Sequence, residues 1–155
     1  MKKIIYLLAF IVISSTAIGQ KTDFSGNWKL NKEKSELGEQ FSMAPGAIEI
    51  THEINLLSET RHSNIQGDEY TFKNKYTLDG KECENKGWME SVIKSTANWS
   101  DDKKELHIVS KIPMQDGAEM TVTSNYSIKE KNMVIKTTAS SSYGDFSEVQ
   151  VYEKD

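Results

Sequence analysis

The side chains of this 155-residue chain that are able to carry chemistry are few and lie far apart. Its histidines, His52, His62 and His107, occur singly, without His-Glu-x-x-His spacing, and Cys83 is the only cysteine. A transition-metal site needs several such ligands at short spacing, and a disulfide needs two cysteines. No serine lies in a nucleophile-elbow context. The sequence therefore predicts a protein that is not an enzyme, with no metal centre, no cofactor and no internal disulfide.

A second set of polar residues lies inside apolar stripes. Alternate positions of several predicted strands are apolar, as in Tyr70, Phe72 and Tyr76, because successive side chains of a strand point to opposite faces. One polar residue of the same parity interrupts each stripe near its middle: His52, Asn74, Ser95, Ser110, Ser124 and Thr137. Buried without partners, each would cost about 1–3 kcal/mol, so we expect them to surround water or a ligand. Alternatively they hydrogen-bond to one another, or bulges turn them to the solvent.

Turn-forming residues divide the chain into short strands at nearly even spacing. These turns fall at 66–68, 79–80, 100–102, 115–117, 129–132 and 143–145. A long sheet with one face exposed to solvent must either pack its inner face against a second sheet or close on itself. The pattern predicts an all-β, up-and-down antiparallel barrel of eight to ten strands, with at most one short helix, placed over 31–38. Ile48, Ile50, Ile54 and Leu56 are expected to share one inward face.

Residues 1–19 have the organisation of a secretory signal peptide. Lys2 and Lys3 precede an apolar run that is shorter than the roughly 20 residues of a membrane-spanning helix, and Ala17-Ile18-Gly19 forms a small-x-small cleavage site. We expect one barrel domain over 20–155 in an exported protein, periplasmic or secreted, whose mature chain does not insert into a membrane. The formal net charge of −4 and the lack of basic blocks argue against nucleic acid as a partner.

The two ends of the predicted domain carry a family likeness. Its first strand contains Phe24-Ser25-Gly26-Asn27-Trp28-Lys29-Leu30, and its last contains Val151-Tyr152-Glu153-Lys154. In these stretches the chain resembles the calycin barrels: lipocalins, the lipocalin-like domains of small exported bacterial proteins and, most closely at the two ends, fatty-acid-binding proteins. The resemblance implies that Trp28 plugs one end of a closed barrel, with a basic residue, here Lys154, over the indole. Gly26 has no side chain and so permits a close approach.

The resemblance also bears on the ligand. In fatty-acid-binding proteins a basic residue two positions before the last-strand tyrosine helps to clamp the carboxylate. This chain keeps that tyrosine as Tyr152 but has Gln150 at the basic position. The segment 31–46 is also too short for the helical lid of that family. We therefore do not expect a fatty acid held in that manner, whereas another apolar or weakly polar ligand fits.

The sequence as a whole predicts an exported, non-enzymatic barrel that holds a small, largely apolar molecule. The predicted ligand-binding residues are His52, Phe72, Asn74, Tyr76, Ser95, Ser110, Val122, Ser124, Tyr126, Thr137, Gln150 and Tyr152. The alternative is a filled barrel that binds a protein, as an inhibitor or envelope-assembly factor, through an apolar patch along 40–45. Space inside the barrel distinguishes the two.

Overall fold

The computed structural model describes residues 20–39 and 41–155, and the predicted signal peptide at 1–19 lies outside them. Ten antiparallel strands form: β1 (Gly26–Leu30), β2 (Ala47–His52), β3 (Leu56–Ile65), β4 (Asp68–Thr77), β5 (Cys83–Lys86), β6 (Val92–Trp99), β7 (Glu105–Pro113), β8 (Glu119–Lys129), β9 (Asn132–Ser141) and β10 (Gly144–Lys154). Their order in the sheet is β4-β3-β2-β1-β10-β9-β8-β7-β6-β5. Neighbours in sequence are thus neighbours in space, and β1 pairs with β10. The predicted all-β, up-and-down barrel is confirmed.

The barrel closes between β4 and β5 through side chains, and no backbone ladder joins these strands in the described part of the chain. The Lys75 N–H donates to Asn85 Oδ1 at 2.7 Å, and Asn85 Nδ2 donates to the Lys75 carbonyl at 3.1 Å. The buried amide of Asn85 therefore replaces one residue pair of a ladder. Nearer the turn at 87–91, the rings of Tyr70 and Trp88 lie 4.8 Å apart.

The two ends of the barrel are unlike. One end, here called the closed end, carries the connections at 53–55, 78–82, 100–104 and 130–131 together with the segment 20–25. There Phe24, Leu57, Leu106 and Met133 are fully buried. Towards the other end, the open end, the inward side chains become half-buried, as in Phe72 of β4. The hydrophobic core therefore fills the closed half, and solvent reaches into the open half.

The first strand secures the closed end. Trp28 lies between Ile48 of β2 and Lys154 of β10, is 4% exposed and donates from Nε1 to the Phe24 carbonyl at 2.9 Å. Lys154 Nζ lies 5.5 Å from the centroid of the indole. Gly26 has a φ of +141°, and a Cβ there would lie 2.7 Å from Lys154 Cε. Only glycine therefore fits beneath this lysine without displacing it.

The helix predicted over 31–38 is wrong. Asn31 Oδ1 instead accepts the Lys34 N–H at 3.0 Å and closes a turn. Two residues later, Glu36 pairs its backbone with that of Val149 in β10, at 2.8 and 2.9 Å. A backbone committed to the edge of a sheet cannot complete helical hydrogen bonds, so the bridge prevents the helix. Among the described residues the one helical element is a 3₁₀ turn, Trp88–Glu90.

The six predicted turns all connect strands, but the turns at 53–55 and 87–91 were not predicted. The chain reverses at 53–55, where the Glu53 N–H donates to the Leu56 carbonyl at 2.8 Å. The prediction that Ile54 and Leu56 continue the inward face of β2 is therefore wrong. Ile54 is 82% exposed at the turn, and Leu57, not Leu56, is the fully buried residue of β3. The turn at 53–55 escapes detection because Ile54 continues the apolar alternation of β2 across it.

Replacement of Trp28 by alanine should lower the free energy of unfolding by about 3–5 kcal/mol, because it empties a buried aromatic site. Chemical denaturation followed by far-ultraviolet circular dichroism measures this loss. Trp88→Ala is the matched control: Trp88 is 48% exposed, so its loss should cost less than about 1 kcal/mol. Equal stability of the two variants would contradict the role assigned to Trp28.

Asn85→Ala should loosen the β4–β5 junction specifically. The Lys75 amide loses its acceptor, so its hydrogen exchange should accelerate by about tenfold or more, the equivalent of one net hydrogen bond. Exchange measured by nuclear magnetic resonance reports this amide individually. Glu84→Ala, on the exposed face of the same strand, should leave it unchanged. Similar protection of the Lys75 amide in both variants would contradict closure by the Asn85 side chain.

Candidate functional site

A buried carboxylate lies at the centre of the barrel. Glu59 on β3 has a fully buried side chain. Its Oε1 accepts hydrogen bonds from Arg61 Nε at 2.7 Å, Asn74 Nδ2 at 3.0 Å and the Tyr76 hydroxyl at 3.1 Å. Its Oε2 accepts the Tyr126 hydroxyl at 2.9 Å. We call these five residues the Glu59 cluster. Because each carboxylate oxygen has a donor and the charge has a cation beside it, burial is tolerated.

Arg61 links this cluster to the far wall of the barrel. Its Nη2 donates to the Tyr126 hydroxyl of β8 at 2.6 Å while its Nε holds Glu59. Burial alone would lower the pKa of Arg61, but the adjacent Glu59 charge more than offsets this, and the pKa is raised. The guanidinium is therefore a permanent cation. Its side chain remains 21% exposed, and its cross-strand neighbour on β4 is the half-buried Phe72.

The tyrosines of the cluster act as hydrogen-bond donors. Burial, supported by the Glu59 charge, raises the pKa of Tyr76 well above its usual value, although Arg61 acts in the opposite direction. Burial raises the pKa of Tyr126 in the same way. Both hydroxyls therefore keep their protons at physiological pH and continue to donate to Glu59.

A second polar cluster lies on the inner face of β10 and the neighbouring strand β9. We call it the Gln150 cluster, and its members are Gln150, Thr137, Glu148 and Tyr152. Gln150 Nε2 donates to Thr137 Oγ1 at 3.2 Å and to Glu148 Oε1 at 2.7 Å. The Tyr152 hydroxyl donates to Gln150 Oε1 at 2.9 Å. The buried Glu148 carboxylate also accepts the Ser42 hydroxyl at 2.7 Å and the Met43 N–H at 3.1 Å. The segment 41–46 is thereby fastened to the inner face of β10.

The structure places the predicted site residues at different levels. Most lie on inward faces in the middle of the barrel and towards its open end, and some of them hydrogen-bond to one another. Ser95 and Ser110 are 2.8 Å apart, and Ser124 and Thr137 are 3.5 Å apart, measured between hydroxyl oxygens. The buried members are Tyr76, Ser95, Val122, Ser124, Tyr126, Thr137, Gln150 and Tyr152, and the half-buried ones are Phe72, Asn74 and Ser110.

His52 does not lie with these residues. Its ring stacks on Phe24 and Trp99 at the closed end, with centroid separations of 6.0 and 5.6 Å. Its Nδ1 accepts the Phe24 N–H at 3.4 Å and lies 3.6 Å from a carboxylate oxygen of Asp23. The expectation that His52 shares the depth of the other five polar residues is wrong, because β2 ends there and its register carries the side chain to the closed end. The environment is that of a core histidine.

Sequence reasoning missed Glu59, Arg61 and Glu148. Glu59 and Arg61 share the parity of the buried Leu57, and Glu148 shares that of Gln150 and Tyr152. This alternation could have identified the three residues as inward-facing. Because the turn at 53–55 was not predicted, however, the inward and outward positions of β3 were assigned the wrong way round. Gln150 of β10 is buried and hydrogen-bonded, and it carries no charge. The guanidinium inside the barrel belongs instead to Arg61 of β3. Unlike a free guanidinium, this cation is paired with a carboxylate.

A cleft of about 750 Å³ opens along the β4–β5 junction. Its walls include the inward residues Glu59, Phe72, Asn74 and Asn85 as well as outer-face residues of both strands. It therefore reaches the Glu59 cluster from outside the barrel. The described residues hold no group of three or more metal-ligating side chains, and among them no helix is long and apolar enough to cross a membrane.

His52 makes stability depend on pH. Burial lowers its pKa, and the attraction of Asp23 offsets this only in part. The unfolded chain then binds a proton more readily than the folded one, so the free energy of unfolding is unaffected well above pH about 6.5 and falls below it. His52→Gln should lose less stability than the parent between about pH 7.5 and 5, measured by urea unfolding. His62→Gln, on the outer face, controls for loss of an imidazole, and an unchanged slope in His52→Gln would contradict this role.

Comparison with known proteins places the fold. No protein-family model matches the sequence, and the search of curated proteins found no significant match. Three solved structures are similar over almost their whole length. Zebrafish ileal bile acid-binding protein, solved with cholic acid, shares 18% identity and a TM-score of 0.60 over 85% of this chain and 98% of its own.

Lipid binding protein 8 from Caenorhabditis elegans shares 13% identity and a TM-score of 0.58 over 85% of this chain and 95% of its own. The fatty-acid-binding protein from Manduca sexta shares 16% identity and a TM-score of 0.50 over 84% of this chain and 99% of its own. The resemblance stated from the two ends of the chain is thereby confirmed at the level of the fold. The chain has the barrel fold of these three solved proteins.

Proposed function

We propose that this protein is an exported, non-enzymatic carrier that holds a small, largely apolar molecule in the open half of its barrel. The observation that carries the proposal is the change in burial along the inward faces. On β7, Leu106 and Ile108 are buried while Ile112 is half-buried, and on β4 the same change runs from Tyr76 to Phe72. Apolar side chains that face inward yet contact solvent gain free energy when an apolar ligand covers them.

Three further features support a carrier. The similar solved proteins are named for bile acid, lipid and fatty acid. The cleft of about 750 Å³ at the β4–β5 junction lies on the outer side of the barrel, but its wall includes the inward residue Phe72, so solvent reaches this part of the proposed site. The polar groups below the open half are held in place by one another, so they offer a fixed surface to a ligand. The export of the protein follows from the signal-like residues 1–19 and is part of the proposal.

A protein-binding barrel is the second candidate, and one observation favours it. Most of the exposed large apolar side chains lie near the open end: Phe41, Ile65, Trp88, Met89, Val92 and Tyr143. Phe41, predicted as part of a surface patch, is 65% exposed and packs against Phe146 at 5.8 Å. Met43 instead ties its backbone to Glu148, and Gln40 lies outside the described residues. Under this candidate the open half takes up no small molecule.

Binding of the neutral fluorescent dye Nile red to the purified protein tests the carrier. Phe72→Ala should weaken binding by about tenfold, because it removes one apolar wall. Lys73→Ala, the next residue on the outer face of the same strand, should leave affinity unchanged. Native mass spectrometry of the same preparation reports retained molecules and shows whether the chain begins at Gln20. No dye binding and no retained molecule would overturn the carrier and favour the protein-binding barrel.

A further inference from the structure

The charges inside the barrel do not suit an anionic ligand. Three charged side chains of the described chain point inward below the rim: Glu59, Arg61 and Glu148. These are one guanidinium and two carboxyl groups, and Glu59 lies in direct contact with the guanidinium at 2.7 Å. A ligand carboxylate would have to compete with Glu59 for Arg61 and would be repelled by the carboxylate already there.

The carboxyl groups are equally unsuited to a cationic ligand. Glu59 accepts four hydrogen bonds, and Glu148 accepts three, from Ser42, Met43 and Gln150. An ammonium group would have to displace these donors and leave them unpaired in a buried site, at a substantial cost. It would also lie close to the guanidinium of Arg61, whose charge would repel it.

What remains for a ligand is an N–H donor of Arg61, whose positive charge is already balanced by the Glu59 carboxylate. Arg61 uses Nε for Glu59 and Nη2 for Tyr126, and no described residue hydrogen-bonds to its Nη1. Arg61 lies opposite Ile48 on one side and the half-buried Phe72 on the other, and its side chain is 21% exposed. A neutral oxygen is able to accept this N–H without adding a charge to the site.

We infer that the ligand of this barrel is an uncharged amphiphile, an alcohol, ester or amide with an apolar chain, whose head-group oxygen accepts a hydrogen bond from Arg61. Glu59 acts as a built-in counter-ion that occupies the place of a ligand carboxylate. This inference rests on the proposed carrier function and specifies its ligand class. It also follows that the barrel excludes alkanoates by charge and not by shape, so one substitution should admit them.

The experiment compares dodecanol with dodecanoate as competitors of Nile red at pH 8, where the alkanoate is ionised. The parent protein should bind dodecanol more tightly than dodecanoate. Glu59→Gln frees the guanidinium while keeping an acceptor at that position, so dodecanoate affinity should rise by about tenfold or more. Dodecanol affinity should change by less than about threefold, since its hydrogen bond to Arg61 persists.

The matched control is the double variant Glu59→Gln with Arg61→Gln, which removes both charges. It should lack the gain for dodecanoate, because the gain depends on the guanidinium. Circular dichroism establishes that each variant is folded. Should Glu59→Gln fail to fold, the parent protein decides the matter alone: dodecanoate bound as tightly as dodecanol overturns the inference. A folded Glu59→Gln without the gain also overturns it, and the carrier function survives both results. Only the failure of Nile red to bind the parent overturns both.

Discussion

The interior of this barrel depends on the tie between the Glu59 carboxylate and its four donors. Glu59, Arg61, Asn74 and Tyr76 belong to the neighbouring strands β3 and β4, whereas Tyr126 belongs to β8 on the other side of the sheet order. The bonds from Tyr126 to Glu59 and from Arg61 to Tyr126 therefore cross the lumen. They hold together two walls that the backbone ladders connect only by the long way round. A buried ion pair is tolerated on these terms because every charged oxygen is satisfied.

The position of this tie explains why the two halves of the barrel differ. Below it, aromatic and aliphatic side chains such as Phe24, Trp28 and Leu57 are buried. Above it, the inward residues of β4 and β7 are only half-buried. A polar layer in mid-barrel separates a fully packed core from a half whose inward walls solvent reaches. Changes in one half should therefore affect the other little, provided that the layer itself is intact.

Much of the fold was predictable from local signals, and the centre of the site was not. Alternation of apolar residues and glycine- or aspartate-containing turns depend on a few neighbouring positions, so β4 and β6 to β10 follow directly from the sequence. The turn at Glu53-Ile54-Asn55 carries no such signal, and without it the inward parity of β3 is displaced by one residue. Glu59 and Arg61 then read as solvent-facing charges. Their burial depends on partners in β4 and β8, which are far away in sequence.

The shape of the barrel is shared with other proteins, whereas its interior charges depend on a few individual residues. The solved structures at 13–18% identity share the barrel, and the positions of Trp28, Lys154 and Tyr152 suit it. At the position where fatty-acid-binding proteins place a basic residue, however, Gln150 joins a hydrogen-bond cluster that contains the Glu148 carboxylate and no cation. The guanidinium that this barrel does contain enters from β3 and is already paired with Glu59. Under the proposed carrier function, the shared barrel would supply the apolar walls, and the three interior charges of Glu59, Arg61 and Glu148 would decide which head group is accepted.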